Sequence, residues 1–161
     1  MKKILLVFLL WIGSLNIYPQ YNVDQPMSLI EVNGVSIAYT TTGEQENTPV
    51  LMIMGLMGSH KVWGEEIVNG LVDAGYRVIL FDNRDTGESE NLDRLGKPNL
   101  YWKFAMNSLG IDFSAPYTLS DMALDGLGIL DYLGVEEAHI VGASMGGMIA
   151  QTLAYEHPER V

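Results

Sequence analysis

The stretch HIVGASMGGMIAQ (His139 to Gln151) decides the fold. Its opening, through Val141, is an apolar run of the kind buried strands carry. From Met145 the pattern turns helical, with Met148, Ile149, Thr152 and Leu153 repeating on one face, and it stops before Pro158. Between the two lies Gly142-Ala143-Ser144-Met145-Gly146, a G-x-S-x-G pentapeptide. Composition alone yields roughly 0.1 such matches in a chain like this one, so the setting must give the pattern its weight. Here a strand runs directly into an amphipathic helix. A serine on that turn is driven into a strained backbone conformation, and small residues two positions either side let the flanking chains pass. Its hydroxyl then stands clear of the sheet at a helix N-terminus, where the dipole and free N–H groups favour negative charge. Ser144 is the candidate nucleophile, and the Met145 N–H a candidate oxyanion donor. The plainer reading is a glycine-rich helix entry capped by a serine.

Upstream, Ser28 to Ala38 (SLIEVNGVSIA) alternates about Asn33-Gly34, a type I′ hairpin signal. Thr40 to Pro49 is polar and reads as a loop. Val50 to Met54 and Tyr76 to Phe81 are continuous apolar runs, expected as strands buried on both faces. Between them a helix is expected from Lys61, with Trp63, Ile67, Leu71 and Ala74 on one face and Gly75 at its C-terminal end. Thr118-Leu-Ser-Asp121 has the form of a capping box, opening a helix that carries Met122, Leu127, Leu130 and Leu133 and ends at Gly134. Ala138 to Val141 is expected as a third buried strand. Asn91 to Pro116 is irregular, with weak helical periodicity around Tyr101 to Ser108. Strands alternating with helices in this way imply an α/β fold with a parallel sheet and helices on both faces.

A second element follows the first buried strand, at Met54-Gly55-Leu56-Met57-Gly58-Ser59. A glycine turn at the carboxyl end of a parallel strand can present a backbone N–H to the same crevice, with Leu56 as the donor; alternatively it is only a strand-to-helix turn. Asp85-Thr86-Gly87 matches the aspartic-protease triplet. That chemistry needs two such carboxylates sharing a proton, and no second copy exists.

Taken together, MGLMGSHKVW (Met54 to Trp63), FDNRDTGES (Phe81 to Ser89), APYTLSDMALD (Ala115 to Asp125) and HIVGASMGGMIAQ resemble the α/β-hydrolase superfamily, in the family's order. The DNRDTGES stretch is most similar to the serine esterases related to aclacinomycin methylesterase. The resemblance implies an α/β-hydrolase fold with a mostly parallel sheet and an N-terminal antiparallel hairpin. It makes Ser144 the nucleophile, gives the oxyanion hole to the Leu56 and Met145 N–H groups, and assigns a structural role to the turn after Phe81. It implies a small-molecule ester substrate and no cofactor. Met54 stands where many members have His, which touches only the fine geometry of that loop. Serine at 144 argues against the branches that use an aspartate nucleophile, the haloalkane dehalogenases and epoxide hydrolases.

A serine needs a base, and the base needs a carboxylate; in this fold both follow the serine in the chain. His157 lies at the far end of the serine's own helix, roughly 20 Å away at 1.5 Å per residue. His139 belongs at the opposite end of the strand, and His60 is expected as a solvated residue at a helix start. No triad can be assembled from these residues. The expectation is that 161 residues hold the N-terminal part of a catalytic domain, truncated after the nucleophile helix and inactive alone, with the acid and histidine beyond Val161. The alternatives are another reaction on the same serine (C–C bond, thioester, perhydrolysis) or a non-catalytic ligand-binding member of the fold.

Composition fits this reading. Nine basic against 20 acidic residues give a net charge of −11, which disfavours binding to a nucleic-acid backbone. With no cysteine, disulfide frameworks, thiol catalysis and Cys-ligated zinc are excluded, and the three histidines show no metal-binding spacing. After Lys2 and Lys3, Ile4 to Ile12 is an unbroken apolar run too short to form a membrane span. It suits the apolar core of a signal peptide over residues 1–20, with export to the periplasm or medium, and leaves 21–161 as catalytic domain. Oligomeric state is not legible.

Overall fold

A computed structural model of the chain describes residues 20–92 and 116–161. The leader reading and the segment around Tyr101 to Ser108 lie outside the described residues. Among those described, no helix is long and apolar enough to cross a membrane.

The hairpin forms as the Asn-Gly pair dictates. Strands β1 (Ser28–Val32) and β2 (Val35–Thr42) pair antiparallel, with Val32 opposite Val35 and positive φ at both Asn33 (50°) and Gly34 (73°). β2 runs on to Thr42, through residues whose polarity had marked them as loop. Threonine is β-branched, and Thr40 to Thr42 gain backbone partners on β4 (Tyr76–Phe81), Thr42 facing Val78. β3 (Thr48–Ile53) and β5 (His139–Gly142) complete a sheet ordered β1-β2-β4-β3-β5, with β4, β3 and β5 mutually parallel.

Alternation along the central strands builds two cores. Leu51, Ile53, Ile79 and Phe81 point to one face, against helices α2 (Leu119–Tyr132) and α3 (Met145–Glu156). Val50, Met52, Val78 and Leu80 point to the other, against α1 (Gly64–Asp73) and Tyr21. Helices on both faces are what the continuous apolar strands demanded.

One reading is corrected. α1 buries Val68 and Val72 while Ile67 is exposed, so its apolar face is shifted from the expected one. The cause is a break in phase. Residues His60–Trp63 form a separate 3₁₀ turn, and Gly64, at φ 72°, restarts the helix. β5, read as a buried strand type but expected in this chain to keep one edge unpaired and its faces partly uncovered, lies at one edge of the described sheet, with Val141 39% exposed. The ends of α2 follow the sequence closely. Thr118 and Asp121 exchange both bonds of the capping box, and Gly134 terminates the helix at φ 66°.

Candidate active site

The strand order reverses at β3: the chain moves outward from β3 to β4, then crosses back to place β5 on the other side of β3. Such a switch leaves a crevice at the carboxyl ends of the two strands, because their connecting loops depart in opposite directions. Ile53 and Gly142 are paired at those ends, and the Ala143 N–H donates to the Ile53 carbonyl at 3.0 Å. Met54-Gly55 and Ala143-Ser144 therefore leave the sheet side by side.

Ser144 is exposed and sits at φ 55°, ψ −122°, directly before the first residue of α3. A left-handed φ on a residue with a Cβ costs on the order of 1–3 kcal/mol, and here close packing holds it in place. A Cβ on Gly146 would run into the Ile53 carbonyl, and one on Gly142 into the Gly146 carbonyl. A Cβ on Gly55 would lie 2.9 Å from the Ser144 Cβ and 3.3 Å from its Oγ. The glycines at 142 and 146 were legible from the pentapeptide. The packing of Gly55 against Ser144 was not, since no short motif spans 89 residues.

The loop after β3 is a tight turn in which the Gly58 N–H donates to the Gly55 carbonyl at 3.1 Å. Leu56 and Met57 occupy its corners, 73% and 86% exposed, with Met57 at φ 60°. Among the described residues, no hydrogen bond engages the backbone N–H of Leu56 or of Met145. The loop is tied from the turn that follows β4: Asn83 Nδ2 donates to the Met54 carbonyl at 2.7 Å.

His60 departs from expectation. It is 1% exposed, and both its backbone N–H (2.6 Å) and its ring Nδ1 (2.9 Å) meet Asp82 Oδ1. Asp82, at the end of buried β4, would otherwise be a carboxylate stranded in the interior, and His60 and the Glu88 N–H satisfy it. Burial pushes the Asp82 carboxyl up, but the bonds from the His60 ring, the His60 N–H and the Glu88 N–H outweigh it and hold the group below its ordinary range. His139 is exposed at the start of β5, opposite Val50, and His157 follows the last turn of α3. No histidine stands with Ser144.

A charged network fills the next turn of the crevice. Arg84, 6% exposed, forms a fork on Asp125 of α2, Nε to Oδ2 at 2.7 Å and Nη2 to Oδ1 at 2.6 Å, and stacks over the Tyr117 ring at 5.1 Å. Burial works against the guanidinium, but Asp125 overcomes it and keeps Arg84 firmly charged. Tyr117 donates to Asp85 at 2.7 Å; burial first, then that bond, pushes it up to about 12. Asp125 had drawn no attention in the sequence, although a carboxylate on the apolar stripe of a helix signals a buried partner.

Elsewhere, an open cleft of about 510 Å³ lies among Asp131, Gly134, Val135, Glu136, Glu159 and Arg160. Its one cation, Arg160, is held by Asp131 and by the Val135 and Glu136 carbonyls, so the cleft is a structural junction away from Ser144. Among the described residues no group of three or more metal-ligating side chains gathers.

Comparison with known proteins now bears on this geometry. Residues 48–161 match the family model described as the alpha/beta hydrolase fold. The chain belongs to that family. This alpha/beta hydrolase-fold chain is 36% identical over 136 residues to a rhodomycin D methylesterase of Streptomyces peucetius, covering 84% of this chain and 40% of that protein. It is 32% identical over 123 residues to a putative carbamate hydrolase of Variovorax paradoxus, covering 76% and 38%. Among solved structures it is similar to an alpha/beta hydrolase fold protein from Chitinophaga pinensis, with a TM-score of 0.65, 27% identity and coverage of 86% and 42%. The hydrolase-fold chain thus spans about 40% of the length of the curated relatives it matches. The methylesterase similarity agrees with the branch that DNRDTGES suggested.

Proposed function

We propose that these residues carry the nucleophilic half of a serine ester hydrolase. The observation that carries the reading is Ser144 itself: exposed, held at φ 55° at the start of a helix, with the Gly55 loop packed against it. Ser144 Oγ attacks the acyl carbon of a carboxylic ester while its proton passes to a general base. Negative charge moves onto the former carbonyl oxygen, which the Leu56 and Met145 N–H groups receive. Collapse of this adduct expels the alcohol, protonated by the base, and leaves an acyl group on Ser144. Water then attacks the acyl carbon, the base takes its proton, and the carboxylic acid is released with Ser144 restored. No cofactor takes part.

The base and its orienting carboxylate are proposed to come from polypeptide outside these 161 residues. His60 is occupied with Asp82, and His139 and His157 lie at the wrong ends of their elements. The carbamate-hydrolase relative favours one second reading, in which the same serine takes the carbamoyl group of a carbamate ester and releases the alcohol, water then freeing the carbamic acid.

The test uses the full-length protein with short p-nitrophenyl esters and a fluorophosphonate probe. Probe labelling at Ser144, and turnover that falls at least about 10⁴-fold in Ser144→Ala, support the reading. Turnover that survives Ser144→Ala, or failure of the probe to label this serine, overturns it. A carbamate turned over faster than the matched ester selects the second reading.

A further inference from the structure

We propose that Met57, with Leu56 beside it, is a substrate-specificity element that contacts an apolar group flanking the reacting carbonyl. This rests on the ester-hydrolase reading and names a feature of the substrate that reading leaves open. Three observations carry it.

Position is the first. The turn from Gly55 to Gly58 is closed by its own backbone bond, and Gly55 packs against the side chain of Ser144. The corners of that turn are thus one and two residues from a backbone in contact with the nucleophile. Backbone conformation is the second. The third residue of such a turn, at φ 60°, is where glycine is ordinarily found, because a Cβ there is strained. Methionine occupies it nonetheless, and among the described residues only Ser144 and Asp85 share a positive φ on a non-glycine residue at this end of the sheet. Asp85 has its own structural work, accepting from the Leu92 N–H and from Tyr117. Exposure is the third. At 86% and 73%, Met57 and Leu56 belong to neither core of the described residues, so neither of those cores accounts for a strained apolar side chain at this point. A flexible, polarisable thioether adapts to apolar groups of varied shape, which suits a ligand contact.

The occupant is the ester's hydrocarbon substituent, on either its acyl or its alkoxy side. The two sources are separated by paired substrate series on the full-length enzyme: p-nitrophenyl acetate against hexanoate, and methyl against hexyl acetate. Met57→Gly suits the left-handed φ, so the substitution does not threaten folding. It should lower the long-to-short ratio of kcat/KM about tenfold in one of the two series, while Met57→Leu, which keeps the bulk, retains most of that ratio. The series that responds identifies the side of the ester. Ratios unchanged in both series overturn the inference, above all if Met57→Gly lowers the melting temperature, which would assign the side chain to packing. Absence of any Ser144-dependent turnover in the wild type would instead overturn the parent reading, and this inference with it.

Discussion

The carboxyl ends of the central strands carry two neighbouring regions that treat polar groups in opposite ways. Around Arg84, Asp125, Tyr117 and Asp85, every charge named is buried or bonded and finds its partner inside the described fold. Around Gly55 and Ser144, the hydroxyl is exposed, two backbone N–H groups have no partner among the described residues, and the backbone is strained. The first arrangement fastens the loop after β4 to α2, with the charges spent on one another. The second holds donors and a hydroxyl ready at a cost in stability, which is how binding sites differ from structural polar clusters. Charge and burial alone would have selected the fastened region rather than the proposed site.

The sharpest way to break this contrast is at Ser144. Ser144→Gly should abolish ester turnover in the full-length protein by about 10⁴-fold or more, like removal of any essential nucleophile. Because glycine accepts φ 55° freely, the same variant should melt a few degrees above wild type. A lower melting temperature would mean that the serine is a structural cap.

Next in size is the fastened region. Asp125→Ala strands Arg84 in the interior and should destabilise the fold by about 3–5 kcal/mol in denaturant titration, whereas the apolar pair Arg84→Met with Asp125→Leu should recover most of that loss. A single-variant effect under about 1 kcal/mol would show that the network is not tight.

Asp82 separates structure from chemistry by pH. Its carboxyl titrates below the ordinary value in the folded state, so its contribution to stability is fully present above about pH 5 and is lost as pH falls through the folded pKa. Asp82→Asn should therefore be less stable than wild type at neutral pH, with a gap that closes as acidification passes through the folded pKa of Asp82. A gap independent of pH would remove the ionised Asp82–His60 pairing from the account. The smallest effect is expected at the α2 cap, where Thr118→Ala should cost about 1 kcal/mol in urea midpoint measurements and leave the ester kinetics of the full-length protein unchanged.

Local chemistry was legible along the chain. Asn33-Gly34 set the hairpin because both residues tolerate positive φ. The Thr118–Asp121 box and Gly134 set the ends of α2, and the uninterrupted apolar runs at β3 and β4 required cover on both faces. The serine elbow was legible for the same reason: Gly142, Ser144 and Gly146 act on one another across two residues. What escaped was everything that depends on distant pairing. The length of β2 came from its partner β4, and the phase of α1 from a glycine break whose effect depends on where the helix docks. His60 looked like a solvated helix start until Asp82, 22 residues away, was seen to need a donor. The sequence by itself determined the α/β alternation and the serine turn that the proposed site is built on, because each follows from steric and hydrogen-bonding preferences within a few positions. Only the tertiary structure decided that Gly55 rests on Ser144 and that Arg84 is spent on Asp125, because those contacts exist only once the strand order has reversed and brought the loop ends together.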